Sequence, residues 1–181
     1  GPTMPSTRVS GKRLGMLGMG RVGQVIARRA VGFDMDIRYH TRSANPQLPW
    51  HHEPSLLTLA QWCDFLVVAS PGSPETYHLV SAEVLKALGP NGYLVNVARG
   101  SVVDEKALVA ALENGQLGGA GLDVFENEPE VPAELLRNER VVVLPHVGSA
   151  TRETRAAMCE LVLRNVERFV TEGGLVTPVN L

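Results

Sequence analysis

Apolar and polar positions along the chain follow two alternating patterns. Short, mostly apolar runs predict strands, and we place them at 13–17, 36–40, 65–69, 93–97, 119–124 and 141–144. Between them lie stretches with apolar residues at helical spacing. Apolar strands that alternate with helices are typical of a parallel sheet covered by helices on both faces. The predicted fold class is therefore α/β, a doubly wound parallel sheet of the Rossmann type.

Helical spacing predicts five helices, at 21–31, 55–62, 81–88, 104–113 and 151–172. Asp104 is suited to cap the fourth helix, and Gly115 follows its end. In the fifth helix, the apolar residues that share one face are Met158, Leu161, Val162, Val166 and Phe169. The segment 45–54 holds three prolines and two adjacent histidines and is predicted to be a loop, as is 71–74.

Composition restricts the class of protein further. Of the 181 residues, 44% are hydrophobic and 20% are charged, which is typical of a globular domain. The net charge of −2 argues against nucleic acids or anionic membranes as partners. Cys63 and Cys159 are the two cysteines, so no disulfide framework is expected and a reducing, cytoplasmic location is predicted. No metal site is expected, because neighbouring side chains such as His51 and His52 usually point apart.

A glycine-rich turn lies between the first predicted strand and the first predicted helix. It matches GxGxxG, and its residues are Gly18, Met19, Gly20, Arg21, Val22 and Gly23. In this context the first glycine allows a tight turn, the second lets a pyrophosphate approach the backbone, and the third lets helix and strand pack closely. The helix N-terminus adds free N–H groups and the positive end of a dipole. The turn is therefore predicted to bind the phosphates of a dinucleotide.

The residues after the second strand indicate which dinucleotide is bound. NAD-binding proteins place a carboxylate there, about 20 residues beyond the glycines, to bind the adenosine ribose. Here the strand is followed by Thr41, Arg42 and Ser43. Arginine and serine suit a 2′-phosphate, which a carboxylate would repel. NADP(H) is therefore favoured as cofactor and NAD(H) is the alternative, for which Asp36 is poorly placed because it begins the strand.

Three later segments carry a family resemblance. They are 95–105 (VNVARGSVVDE), 121–129 (GLDVFENEP) and 144–151 (LPHVGSAT). Together with the glycine turn, and in this order, they resemble the D-2-hydroxyacid dehydrogenases over nearly the whole chain. The resemblance implies an NAD(P)-dependent oxidoreductase that transfers hydride between a nicotinamide and a small 2-keto or D-2-hydroxy acid.

The resemblance also implies roles for three residues. Arg99 matches the arginine that binds the substrate carboxylate and polarises the carbonyl, for which a planar guanidinium is well suited. His146 matches the general acid that protonates the keto oxygen, and Glu128 matches the carboxylate that holds the imidazole. Each also has a purely structural alternative: an anchor for a helix, a core histidine and a loop carboxylate, respectively.

Further positions are implied to line the cofactor site. Asp123 matches a residue near the nicotinamide amide, and Ser70 and Pro71 match the adenosine pocket. Thr76 matches a threonine near the cofactor, although it could instead cap the following turn. The remaining positions, around the nicotinamide, are Val97, Ala98, Arg99, His146, Gly148 and Ser149.

Two details indicate a branch of the family. The segments 69–72 (ASPG) and 41–43 (TRS) resemble the glyoxylate and hydroxypyruvate reductases. Glu128 argues against the formate dehydrogenases, which have glutamine as the partner of the histidine.

The alternative function is that of an NAD(H)-binding, dehydrogenase-like corepressor or sensor module, which would keep the same three residues.

The domain organisation follows from the same resemblance. Residues 1–4 are interpreted as the remnant of an expression tag, 5–173 as the dinucleotide-binding domain, and 174–181 as a tail that returns to a substrate domain. Family members build that second domain mainly from residues before the glycine turn. We therefore expect this chain alone to turn over poorly or not at all, and the intact protein to be a homodimer.

Overall fold

The computed structural model describes residues 7–179, which form two compact units. The first unit ends at His146 and contains the sheet, and the second begins at Val147 and contains the last helix. The predicted tag remnant, 1–4, and the last two residues of the predicted tail lie outside the described residues.

The first unit is built on a parallel sheet of seven strands. The strands are Arg13–Leu17 (β1), Asp36–His40 (β2), His51–His52 (β3), Phe65–Val68 (β4), Tyr93–Asn96 (β5), Gly119–Leu122 (β6) and Val141–Val143 (β7). Their order in the sheet is β3-β2-β1-β4-β5-β6-β7, and every neighbouring pair is parallel. The chain moves outward from β1 to β3 and then returns to place β4 beside β1. This confirms the predicted doubly wound fold, which forms a crevice at the carboxyl ends where the strand order reverses.

Five helices connect the strands of this unit. They are Arg21–Ala30 (α1), Leu56–Trp62 (α2), Ala82–Leu88 (α3), Glu105–Glu113 (α4) and Ala133–Arg137 (α5), with 3-10 turns at Val31–Phe33, Pro74–Thr76 and Gly100–Val102. Side chains cap two of the helices: Ser55 accepts from the Thr58 N–H at 3.2 Å, and Asp104 accepts from the Ala107 N–H at 3.0 Å. The cap predicted at Asp104 is therefore confirmed.

Alternate residues of the central strands face opposite sides of the sheet, and both sides are covered. On β1, Leu14 and Met16 pack into a core with α1, while Leu17 packs into a second core with α2 and α3. On β4, Val67 belongs to the first core and Leu66 to the second. Burial on both faces explains why these strands are apolar without alternation.

Two short elements lie where the sequence predicted none. β3 interrupts the predicted loop 45–54, because it is held by pairing with β2 rather than by a hydrophobic pattern of its own. α5 has five residues, too few to display helical spacing. The strands predicted to end at 69, 97, 124 and 144 end one or two residues earlier, because apolar residues continue beyond the last paired position.

The second unit contains one long helix, Arg152–Glu172 (α6), which agrees with the predicted helix. Thr151 caps it by accepting from a backbone N–H of the first turn at 3.1 Å, and Gly173 ends it in the left-handed region. The Asn165 Oδ1 accepts from the Val176 N–H at 3.0 Å, which ties the tail to the helix. Within this unit the five apolar residues predicted to share a face are exposed. Of the helices within 7–179, none is long and apolar enough to cross a membrane.

Candidate active site

Loops at the carboxyl edge of the sheet hold the candidate residues of the first unit. They follow β1, β2, β4, β5, β6 and β7, at 18–23, 41–43, 70–76, 97–99, 123–128 and 146. Because the strands are parallel, these loops share one edge of the sheet. Gly148 and Ser149 belong to the second unit, and their contact with a cofactor stays a prediction.

The three glycines of the turn after β1 meet different steric demands. Gly18 has a φ of +94°, and a Cβ there would lie 2.6 Å from the Ser70 nitrogen. A Cβ on Gly23 would lie 2.4 Å from the Gly18 oxygen. Beside Gly20, which precedes α1, a Cβ would meet nothing within 4 Å. Packing therefore requires the first and third glycines, whereas the open space at Gly20 fits a ligand that approaches the backbone.

The other residues of this turn differ in what they can offer a cofactor. Met19 is buried in the core, and its carbonyl accepts from the Gln24 Nε2 at 3.2 Å. Arg21 and Val22 are exposed on the first turn of α1, where the N–H groups lack helical partners. This first turn has no acidic residue, so the positive end of the helix dipole can act on a phosphate.

Ser70 and Thr76, both after β4, have contrasting environments. Ser70 is 8% exposed, and its hydroxyl has no hydrogen-bond partner among residues 7–179, which fits a polar ligand group at this point. The Thr76 hydroxyl donates to the Pro71 carbonyl at 2.8 Å and accepts from the Ser73 N–H at 2.8 Å. Thr76 therefore closes the turn in which it lies, rather than capping the turn that follows, and its contact with a cofactor stays a prediction.

The turn after β2 is closed by its own hydrogen bonds. The Thr41 hydroxyl donates to the Ser43 carbonyl at 2.7 Å, so Thr41 shapes the turn, while Arg42 and Ser43 are exposed. The pKa of Glu75 is lowered, first by a hydrogen bond from Ser73 and to a smaller extent by the charge of Arg42. The charge of an exposed carboxylate therefore interacts with the arginine that the sequence assigns to a 2′-phosphate.

A buried asparagine holds the loop that carries Arg99. Asn96 is 1% exposed; its Nδ2 donates to the Arg99 carbonyl at 3.0 Å, and its Oδ1 accepts from the Ala98 N–H at 3.0 Å. A Cβ on Gly72 would lie 2.8 Å from the Arg99 Cγ, so only glycine leaves room for the arginine stem. The sequence prediction missed Asn96 and Gly72. A polar residue within the apolar strand β5 was the available signal for Asn96.

Arg99 itself is exposed, and its guanidinium is mostly uncommitted. One donor, on Nη1, binds the Ala98 carbonyl at 2.7 Å, which leaves further N–H groups for a carboxylate.

The neighbouring Val97 is 39% exposed, whereas Ala98 is buried. Asp123 is also buried, and its N–H donates to the Asn96 carbonyl at 3.1 Å, which links the ends of β5 and β6.

Glu128 and His146 form a hydrogen-bonded pair. Glu128 Oε2 accepts from His146 Nδ1 at 2.8 Å, and Glu128 Oε1 accepts from the Phe125 N–H at 3.0 Å. The pKa of Glu128 is lowered by the His146 bond first, then by the Phe125 bond, with the charge of Arg99 a smaller contribution. Because a carboxylate only accepts, Nδ1 carries a hydrogen and Nε2 is the ring nitrogen left for a reactant.

His146 lies at the edge of an apolar cavity and has an uncommon backbone conformation. Its φ is +54°, in the left-handed region that few residues other than glycine adopt. Its side chain is half exposed. With Glu128 it borders a cavity of about 290 Å³ that is lined by Phe125, Val131, Leu136, Val143 and Leu144. Among residues 7–179, no three His, Cys, Asp or Glu side chains form a group that could hold a metal ion.

Known proteins resemble the chain over nearly its full length. The family model described as D-isomer specific 2-hydroxyacid dehydrogenase, NAD binding domain, matches residues 1–148. The chain is 52% identical to the hydroxyphenylpyruvate reductase of Plectranthus scutellarioides and 49% identical to a glyoxylate/hydroxypyruvate reductase of Arabidopsis thaliana. Each of these matches spans 174 residues, covering 96% of this chain and 56% of the relative.

Solved structures agree with the family match. The NADPH-dependent glyoxylate/hydroxypyruvate reductase of Sinorhizobium meliloti, in complex with NADP and malonate, is 50% identical with a TM-score of 0.91, over 93% of this chain and 53% of that one. A 2-hydroxyacid dehydrogenase from Ketogulonicigenium vulgare is 43% identical with a TM-score of 0.94, over 100% and 57%. The chain thus spans about half the length of the relatives it matches. It belongs to the D-isomer specific 2-hydroxyacid dehydrogenase family, of which it forms the NAD-binding domain.

Proposed function

We propose that the intact protein reduces a small 2-keto acid of the glyoxylate or hydroxypyruvate type to the D-2-hydroxy acid, with NADP(H) as cofactor. The pair of His146 and Glu128 at 2.8 Å, with Arg99 close enough to affect the Glu128 pKa, is the observation that carries this proposal. The names of the relatives from Arabidopsis thaliana and Sinorhizobium meliloti support the substrate class.

Each residue of this group has a distinct task in the reaction. Arg99 binds the substrate carboxylate through its guanidinium fork. NADPH supplies, when bound, the hydride that reaches the keto carbon. His146 gives a proton from Nε2 to the keto oxygen, while Glu128 holds Nδ1 and stabilises the imidazolium. In the reverse direction the proton returns to Nε2, so the same pair serves both reactions.

The preference for NADP(H) over NAD(H) is supported by the turn after β2. Arg42 and Ser43 are exposed there, and the tip of the strand carries no carboxylate that would repel a 2′-phosphate. One relative of 50% identity was solved with NADP. Because Thr41 is engaged within the turn, Arg42 and Ser43 are the side chains assigned to the phosphate.

The proposal extends to the context of the domain. Cys63 and Cys159 are both free thiols, which supports the cytoplasmic location expected from the cysteine content. The intact protein is proposed to be a homodimer, as the family resemblance implies. Because the chain spans about half the length of its relatives, the domain alone is expected to turn over poorly or not at all.

Removing the imidazole tests the catalytic part of the proposal. In the intact protein, His146→Ala should abolish ketoacid reduction, because the proton donor is lost, and should leave cofactor affinity unchanged. His51→Ala, which removes an exposed imidazole from β3, is the matched control. Turnover by the His146 variant at the wild-type rate would overturn the assignment.

Calorimetric titration of this chain with NADPH and NADH tests the cofactor. If NADPH binds more tightly than NADH and Arg42→Ala removes this difference, the assignment of Arg42, in the turn after β2, to the 2′-phosphate is supported. Equal or tighter NADH binding would overturn the NADP(H) preference. If the intact protein then binds NAD(H) but reduces no 2-keto acid, the corepressor or sensor function is favoured instead.

A further inference from the structure

His52 is the second member of the histidine pair on β3, and none of the roles above uses it. It pairs in register with Tyr39 of β2, and the two rings lie 5.1 Å apart. Its Nε2 is 2.9 Å from the carbonyl oxygen of Thr41. Since a carbonyl oxygen only accepts, Nε2 carries the hydrogen and donates it. His52 therefore holds the first residue of the turn that follows β2.

This hydrogen bond fixes the orientation of the peptide that joins Thr41 to Arg42. In a trans peptide the C=O and N–H groups point in opposite directions, so the Arg42 N–H is directed away from His52. That N–H donates to no other residue in the part of the chain that the structure describes. It is therefore available to an anion on the side of the turn opposite His52.

Other contacts hold the same turn in one shape. The Thr41 hydroxyl donates to the Ser43 carbonyl at 2.7 Å, and the hydroxyl of Tyr39, a residue 1% exposed, accepts from the Asn45 N–H at 2.9 Å. Two carbonyl oxygens of the turn, those of Thr41 and Ser43, are thus engaged in hydrogen bonds within the protein. A site organised in this way loses less conformational entropy when its ligand binds.

We propose that His52 is a positioning residue for recognition of the 2′-phosphate of NADP(H). Its Nε2–H holds the Thr41 carbonyl on the inner side of the turn, so that the N–H of Arg42 is presented on the outer side of a turn whose Arg42 and Ser43 side chains are exposed. This inference rests on the proposed preference for NADP(H). It gives β3, a strand of two residues, a role in cofactor choice rather than in the sheet alone.

The ratio of NADPH to NADH affinity of this chain tests the inference, because a purely structural role of His52 would not change the ratio. His52→Phe keeps a ring beside Tyr39 but lacks the N–H donor, and should weaken NADPH binding about five- to tenfold, the size expected for one hydrogen bond to a ligand-holding group, with NADH binding changed less than about twofold. His52→Gln offers an amide N–H and should restore much of the ratio. His51→Phe, on the adjacent residue, should leave it unchanged.

The outcomes separate this inference from the cofactor proposal. If the wild-type chain prefers NADPH and His52→Phe weakens both cofactors equally, or neither, the role of His52 is overturned while the NADP(H) preference stands. If the wild-type chain shows no preference for NADPH, both fall. If the isolated domain binds neither cofactor, the KM values for NADPH and NADH are measured in the intact protein instead. The change of their ratio in the variants then tests the role of His52 in the same way. Thermal unfolding of each variant identifies one that fails to fold; if His52→Phe does, His52→Leu, which also lacks the N–H donor, is measured in its place with the same expected loss.

Discussion

The two ends of the candidate site are held in different ways. At the phosphate-binding end, residues 18–23 and 41–45, the shape comes from close backbone packing and from side chains that hold backbone groups: Gly23 packs against the Gly18 carbonyl, and the side chains of Thr41 and His52 each bind a carbonyl of the second turn. At the catalytic end, formed by Arg99, Glu128 and His146, one side chain holds another, because Glu128 orients the imidazole of His146. The phosphate-binding end therefore leaves little room for larger residues at its packed glycines, whereas the catalytic end depends on particular hydrogen-bond acceptors and donors.

The difference lies in where a substitution acts. At Gly18 and Gly23 of the phosphate-binding end, an added methyl group collides with backbone, which cannot move away without disturbing β1 and α1, whereas at Gly20 it meets open space. At the catalytic end a substitution of equal size can leave the fold intact and still remove function, because a single acceptor oxygen orients the imidazole. The free energy of unfolding should therefore respond to substitutions at the packed glycines of the phosphate-binding end. Turnover should respond to substitutions at the catalytic end.

Glu128→Gln should have the largest effect, and on turnover rather than on folding. Glu128 accepts two hydrogen bonds, one at each oxygen, from His146 and from the Phe125 N–H. Glutamine offers one acceptor oxygen, so its NH₂ group must face one of these two donors. We expect kcat of the intact protein to fall roughly 10²-fold, because the imidazolium formed in the reaction loses its carboxylate partner, with the NADPH affinity of the domain unchanged.

Glu126→Gln is the matched control for that change. Glu126 lies in the same loop and also pairs with a histidine, His78, at 2.8 Å, but it does not contact His146. Its replacement should change kcat less than about threefold. Equal losses in both variants would mean that the loop as a whole, rather than the His146 pair, determines the rate.

Gly23→Ala should give the next largest effect, on stability. The added Cβ would lie 2.4 Å from the Gly18 oxygen, so α1 and β1 must separate, at a cost of about 2 kcal/mol in the free energy of unfolding. Gly20→Ala meets no atom within 4 Å and should leave that free energy nearly unchanged while weakening NADPH binding. Urea denaturation and calorimetry measure the two quantities. Equal stability of the two variants would contradict the packing role of Gly23.

Features that a few consecutive residues determine could be predicted from the sequence. Features that depend on contacts between distant segments of the chain could not. The glycine turn, the Asp104 cap and most strands are visible because a few consecutive residues determine them. β3 was missed because its two residues are a strand only through their pairing with β2. The same reason applies to Gly72, which is required by a stem that lies 27 positions away in sequence. Asn96 differs, because its two hydrogen bonds are local and a polar residue within an apolar strand was a signal that the sequence carries.

The negative charge of Glu128, at the catalytic end, should make a modest contribution to the stability of the fold. Acid should remove this contribution. Because the pKa of Glu128 is lowered in the folded chain, its contribution is fully present above the usual carboxyl value of 4.5 and is lost as pH falls through the lowered value. The pKa of Asp64 is lowered by Arg13 in the same way, so wild-type acid destabilisation has more than one source. The difference in unfolding free energy between wild type and Glu128→Gln should therefore shrink from about pH 6 to about pH 3. A constant difference would mean that the hydrogen-bonded carboxylate of Glu128 does not stabilise the fold.

The smallest effect should come from Glu75, the exposed carboxylate near Arg42 at the phosphate-binding end. If Arg42 receives the 2′-phosphate, Glu75 competes with it for the same guanidinium. Glu75→Gln should therefore strengthen NADPH binding by about twofold or less, leave NADH binding unchanged, and lose its effect at high salt. Glu83→Gln, the same charge change on α3, is the control in calorimetric titrations at two salt concentrations. An equal gain for both cofactors would show a general effect of net charge rather than competition between Glu75 and the 2′-phosphate for Arg42.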